Sequence, residues 1–146
     1  MQVELFDIHD ADRMRAAQVV RFVVFVDEQH VPAEEEIDEH DRTDGDARHA
    51  LIRDGGKPIA AGRYYRIEGA TAQVGRMAVL ADYRGRHIGR QLLDALVDDA
   101  RRRGFARVAL NAQDHAVAFY AKAGFTPFGE TLLECEILHQ PMELAL

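Results

Sequence analysis

The sequence has a single cysteine, Cys135, so it holds neither an internal disulfide framework nor a cysteine-based zinc site. Long apolar runs are missing too. The densest, residues 22–26, spans five positions, against the ~20 needed to cross a bilayer. The N-terminus carries Glu4 and Asp7 where a secretory leader needs a basic stretch and then a long apolar one. A soluble, cytoplasmic chain that makes no use of a membrane is therefore expected. Repeats, low-complexity tracts and linkers are absent, and 146 residues is the length of one domain, so residues 1–146 are expected to share one core. A chain of that size buries about 70% of the surface its unfolded form exposes, enough to fold without a metal or a disulfide. Basic residues are the minority, 18 against 25 acids, for a formal charge of −7. Phosphate contacts need a basic surface, so nucleic acid is not an expected partner. The seven histidines show no H-E-x-x-H or other ligand spacing, and no metal is expected, although His40 stands beside Asp38 and Asp41.

What is present is unevenly distributed. Between Asp27 and Asp46 ten acids face one base, Arg42, so that segment sums to −9. Arg84, Arg86, His87 and Arg90 concentrate positive charge within seven positions. One region thus suits cations and another anions, although acidic runs are often only solvated loops.

Hydrophobic periodicity orders the elements. A short strand over 3–8 precedes a helix, capped by Asp10 or Asp12, that runs to about Val26 with Met14, Ala17, Val20 and Val24 at helical spacing. Residues 30–45 read as loop or short helix around Pro32. Strands over 48–53, 58–67 and 71–80 follow, joined at Asp54-Gly55-Gly56 and Glu68-Gly69. Gly62 and Gly75 inside those strands point to bulges or close backbone approach. The clearest helix carries Ile88, Leu92, Leu96 and Ala100 in one row and stops at Gly104. A strand over 107–110, a helix over 115–123 and strands over 127–133 and 142–146 complete the chain, with Cys135 expected as a small apolar core residue on a late strand. This order is mixed α/β, with hairpins early and strand–helix–strand crossovers late.

Arg84-Gly85-Arg86-His87-Ile88-Gly89-Arg90 follows a strand and opens the strongest helix. The first turn of a helix leaves backbone N–H groups unpaired and carries about half a positive charge. Glycines let a diphosphate approach those amides, and arginines add bidentate donors. The spacing is neither the Walker loop nor the complete dinucleotide fingerprint.

The segment Val79-Leu80-Ala81-Asp82-Tyr83-Arg84-Gly85-Arg86-His87-Ile88-Gly89 resembles the acyl-CoA-binding motif of the GNAT superfamily of N-acetyltransferases, Arg/Gln-x-x-Gly-x-Gly/Ala. Arg84 fills its first position and Gly89 its last, while His87 replaces the middle glycine. Leu110-Asn111-Ala112-Gln113, followed by Phe119-Tyr120 and Gly124-Phe125, is similar to the superfamily's strand and its Phe-Tyr-x-x-x-Gly-Phe helix. Residues 21–32 resemble a subgroup of small bacterial members, many without an assigned substrate. Together these similarities cover nearly the whole chain.

The resemblance implies a mixed, largely antiparallel sheet splayed between its fourth and fifth strands and flanked by helices. It implies transfer of an acetyl group from acetyl-CoA, the co-substrate, directly to a primary amine of a small molecule or peptide. Backbone groups of Met77, Ala78 and Val79 would pair with the pantetheine arm, and an amide there would polarise the thioester. Amides from Arg84, Gly85, Arg86, His87, Ile88, Gly89 and Arg90 would hold the diphosphate, beside Phe119. Tyr120 matches the usual general acid, a phenol of ordinary pKa near 10 facing a thiolate. Asn111 is either a ligand of the coenzyme or of an ordered water, or a turn residue. The base is left open among Glu28, Glu36 and Asp38. Carboxylates such as Glu36 and Asp38 would also attract a cationic amine, yet by favouring the ammonium form they suit recognition better than contact with the reacting nitrogen. Two other readings stand beside this one: a catalytically silent acyl-CoA sensor, and an interaction protein that uses its acidic segment. The late strands could form a two-fold interface, giving a homodimer.

Overall fold

The computed structural model describes residues 1–42 and 45–146; Thr43 and Asp44, within the stretch expected as loop, lie outside them. The elements are β1 (Val3–Phe6), α1 (Ala11–Arg21), α2 (Ala33–Glu36), β2 (Arg48–Asp54), β3 (Lys57–Glu68), β4 (Thr71–Val79), α3 (Ile88–Arg102), β5 (Arg107–Gln113), α4 (Val117–Lys122), β6 (Thr126–Pro127), β7 (Leu132–Glu134) and β8 (Ile137–Ala145). The strands form one sheet in the order β1-β2-β3-β4-β5-β8-β6, with β7 paired to β8. Every described pairing is antiparallel except β4–β5.

The helices cover both faces. On one side α1 buries Met14, Ala17 and Val20 with Val24 against Phe6, Leu51, Ala61 and Ala78. On the other α3 buries Leu92, Leu93, Leu96 and Ala100 against Ile52, Tyr64, Val74 and Val108. The Asp10 side chain accepts from the Arg13 amide and so starts α1, as its position predicts. The expected helix to Val26 changes character midway: beyond Arg21 the backbone is π-helical over Phe22–Glu28, with the Gln29 N–H bonded to the Val24 carbonyl at 3.2 Å. Five apolar residues in a row cannot all face one sheet, and the wider turn keeps Val24 buried while Phe22 stays exposed.

Two irregularities in β4 shape everything that follows. The first is a bulge. Ala61 pairs with Ala78 and Arg63 with Gly75, so Gly62 opposes both Arg76 and Met77, and Arg76 takes φ +51°. A Cβ on Gly62 would sit 2.7 Å from Met77 Sδ, which is the close approach its glycine permits. The second is a splay. The parallel ladder with β5 ends at Val74↔Leu110, although β4 continues to Val79 and β5 to Gln113.

Past α4 the chain differs from expectation. Leu132–Glu134 and Ile137–Ala145 form a hairpin whose turn is Cys135-Glu136, at φ +49° and +63°. Cys135 is thus an exposed turn residue and not a core residue. The β8 strand starts at Ile137, where the sequence pattern starts it at 142, because residues 139–145 pair with β5 and Ile137 and Leu138 extend the strand by pairing with β7. Among the described residues no helix is long and apolar enough to cross a membrane, and no cluster of three or more His, Cys, Asp or Glu could hold a metal.

Candidate active site

The splay opens a cleft of about 570 Å³ lined on one wall by Met77, Ala78 and Val79 of β4 and on the other by Asn111 and Gln113 of β5. A strand that has lost its neighbour exposes backbone donors and acceptors, and here that happens just where the pantetheine-binding residues are expected. Phe119 and Tyr120 of α4 reach the same cleft, their rings edge to face at 5.0 Å. Tyr120 is 8% exposed, its hydroxyl makes no hydrogen bond among the described residues, and burial pushes its pKa up to about 12. A phenol held this way keeps its proton across the physiological range.

A second groove, of about 470 Å³, continues past Val79 along Tyr83, Arg84, Gly85, His87, Ile88, Gly89, Arg90, Phe119 and Lys122. It ends at the start of α3, whose opening residue His87 caps it with left-handed backbone (φ +62°) and no side-chain bond. That backbone explains the motif. Its middle position needs positive φ, which glycine adopts freely and histidine adopts at a cost of about 1 kcal/mol. Gly85 is also left-handed at φ +78°. Ile88 turns its side chain into the core, so only its backbone is offered to the groove. Arg90 is held by Asp94, and Arg86 leans on the Tyr83 ring at 5.1 Å. Uncapped amides at a helix start, beside arginines and a lysine, are the donor set a diphosphate requires, so the groove fits acyl-CoA.

The acids predicted as base or substrate ligands all lie against arginines. Glu28 accepts from Arg84 Nη2 at 2.9 and 3.1 Å, while Arg84 Nε holds the Val79 carbonyl at 2.9 Å. Glu36, 2% exposed, accepts from Arg21 Nε at 2.7 Å. Asp38 accepts two bonds from Arg63, at 2.6 and 2.8 Å, and lies 3.4 Å from Arg76 Nη2. Burial opposes ionisation of Asp38, but the bonds and charge of Arg63, with Arg76, hold its carboxyl below the ordinary range. Asp41 likewise stays ionised, since Arg21 and Arg63 outweigh its burial. Much of the acidic segment is therefore an internal ion network that pins the loop to β3 and β4.

Besides Asn111, which the sequence singled out, the cleft gathers residues to which the sequence assigned no chemistry. Gln29 and Gln113 exchange amide hydrogen bonds at 2.8 and 3.1 Å across the opening. Asn111 donates to Glu134 at 3.0 Å, Cys135 Sγ donates to Glu35 at 3.1 Å, and His139 is 7% exposed nearby. The Glu35 contact raises the Cys135 thiol, which disfavours a thiolate. Glu134, Cys135 and His139 lie on the hairpin, in a stretch without strand periodicity, and the pairing of β8 with β5 carries them to the cleft.

Comparison with known proteins agrees with this geometry. The family described as "Acetyltransferase (GNAT) family" matches residues 9–125. An uncharacterized N-acetyltransferase, YjcF, of Bacillus subtilis (strain 168) is 38% identical over 90% of this chain and 91% of its own. An acyl-CoA N-acyltransferase from Pseudomonas aeruginosa is 28% identical, with TM-score 0.87 over 97% of both chains. The solved structure of Escherichia coli ElaA matches with the same identity, coverage and TM-score.

Proposed function

This chain belongs to the GNAT acetyltransferase family, and from that premise we propose that it moves an acetyl group from acetyl-CoA to a primary amine by direct attack, with Tyr120 as general acid. The observation that carries the reading is the convergence of three features on one continuous cleft: the β4–β5 splay, the uncapped start of α3, and the buried phenol of Tyr120. When bound, acetyl-CoA supplies an acyl carbon activated as a thioester.

The residues of the chain do the rest. Backbone groups of Met77, Ala78 and Val79 hold the pantetheine arm, and an amide there polarises the carbonyl. The amides from Gly85 to Arg90 hold the diphosphate. Arg84 contributes its charge once Glu28 yields it to the phosphates. Tyr120 protonates the departing sulfur. Its raised pKa looks too high for that task, but a thiolate leaving into the same apolar pocket suffers the same desolvation, which narrows the gap. Glu28 and Glu35 line the cleft with carboxylates and favour an acceptor that carries an extra positive group, while Asp38 is bound by Arg63 and does not line it.

Thermal melting with acetyl-CoA, and with ATP as polyphosphate control, tests the coenzyme site. Ligand at a hundred times Kd stabilises by about 2.7 kcal/mol, a rise of roughly 5–11 °C for a domain of this size. No rise at millimolar acetyl-CoA would remove the reading. Tyr120→Phe then separates an enzyme from a sensor. The phenol has no bond to lose, so the variant folds and binds coenzyme as before, while kcat falls about 100-fold or more.

A further inference from the structure

We propose that His139 is the general base that takes the proton from the acceptor amine, with Glu134 stabilising the imidazolium so formed; the assignment rests on the amine-acetylation reading above. His139 stands on β8 opposite Gln113 and lines the same cleft as Tyr120 and Met77. Its Nδ1 lies 2.7 Å from the Ile137 carbonyl oxygen. A carbonyl only accepts, so in the neutral ring Nδ1 carries the proton and Nε2 keeps the lone pair. Nε2 lies 3.9 Å from Glu134 Oε2, beyond hydrogen-bond range but within reach of a strong charge interaction. Glu134 is itself held by Asn111 Nδ2 at 3.0 Å. The hairpin thus presents a base of fixed tautomer with an oriented carboxylate beside it.

The carboxylate alternatives are occupied. Glu28, Glu36 and Asp38 are bound to arginines, and Glu35 accepts from Cys135. The cleft that His139 lines also holds the acids Glu28, Glu35, Glu36 and Glu134, the cations Arg63, Arg76 and Arg84, and the titratable His115, Tyr65, Tyr120 and Cys135, of which His115 is exposed where His139 is buried. His139 and Glu134 are both supplied by the C-terminal hairpin of β7 and β8. In the reaction the amine nitrogen bonds to the acyl carbon as the carbon–sulfur bond breaks. The nitrogen's proton passes to His139 Nε2 and the sulfur takes that of Tyr120. Solvent then returns a proton from the imidazolium to the phenolate, so both residues are restored.

Two variants and one spectrum test this. In ¹⁵N spectra of the free chain at neutral pH, His139 is expected as the Nδ1–H tautomer; an Nε2–H ring overturns the assignment. His139→Asn keeps a donor for the Ile137 carbonyl. With acetyl-CoA and a panel of a diamine, an amino-acid amide and an amino sugar, it is expected to lower kcat 100-fold or more, leave the acetyl-CoA Kd unchanged and abolish the acidic limb of the pH–rate profile. Glu134→Gln is expected to lower kcat by a smaller factor than His139→Asn, again with the acetyl-CoA Kd unchanged. Unchanged kcat in His139→Asn or in Glu134→Gln overturns the assignment while the acetyltransferase reading stands. A wild-type chain that acetylates none of these amines overturns both.

Discussion

At the scale of single residues, histidines show how environment decides role. His87 sits in left-handed backbone where the family motif places glycine, and its value lies in the amides that this backbone aims along the groove. His49 is a buried core residue. Its Nε2 donates to the His40 carbonyl at 3.1 Å, and its ring stacks on Phe6. Burial pushes its pKa from 6.5 down to about 4. A pKa lower in the folded than in the unfolded chain means that the unfolded chain takes up the extra proton between those values. Stability is therefore whole above about pH 6.5 and falls as pH drops toward 4, by about 3 kcal/mol in total. Urea midpoints measured from pH 7 to 5 should fall in the wild type and stay nearly level in His49→Gln, which keeps a donor for the same carbonyl. A wild-type midpoint that did not move over that window would contradict the burial argument.

At the scale of elements, the bulge and the ion network hold the cleft open from opposite sides. Gly62 lets β3 meet the doubled Arg76-Met77 step of β4. Gly62→Ala would press on Met77 Sδ at 2.7 Å and Leu96 Cδ1 at 3.1 Å, displacing a residue that lines the cleft. A cost of about 1–3 kcal/mol is expected, together with weaker acetyl-CoA binding, read by denaturation and by titration of the coenzyme. On the other side, Arg21 of α1 ties Glu36 of α2 to Asp41, with all three buried. Arg21→Met would leave Asp41 with Arg63 at 3.2 Å and Glu36 with Arg76 at 3.6 Å, one arginine short at each buried carboxylate. It should cost about 3–5 kcal/mol, whereas Arg15→Ala, which frees exposed Asp12, should cost less than about 1 kcal/mol. Equal losses in the two variants would show that the network contributes no more than a surface pair.

At the scale of the whole molecule, the charge pattern changes meaning once the chain folds. The acidic segment reads as a cation-attracting loop, yet Glu36, Asp38 and Asp41 meet Arg21, Arg63 and Arg76, which arrive from α1, β3 and β4. The groove proposed for the coenzyme is the more legible half. It is built from consecutive residues, a strand end, a turn and a helix start, so residues 84–90 stand in one run of the sequence. The α3 stripe and the meander from β2 to β4 were legible for the same reason, since periods of 3.6 and 2 are local properties of the chain. The acceptor side is assembled from residues far apart in sequence: Gln29 reaches Gln113, Asn111 reaches Glu134, and Cys135 reaches Glu35. No local pattern encodes such pairs.

The mixed α/β order, the glycine- and arginine-rich turn that opens α3 and the Phe119-Tyr120 pair are legible in the chain alone, because short-range periodicity, turn chemistry and motif spacing require no knowledge of distant partners. Folding settles which carboxylates are held by arginines, where β4 bulges and parts from β5, and that the hairpin of β7 and β8 delivers Glu134 and His139 to the cleft. Those outcomes follow from sheet register, and register is set by the packing of the entire domain.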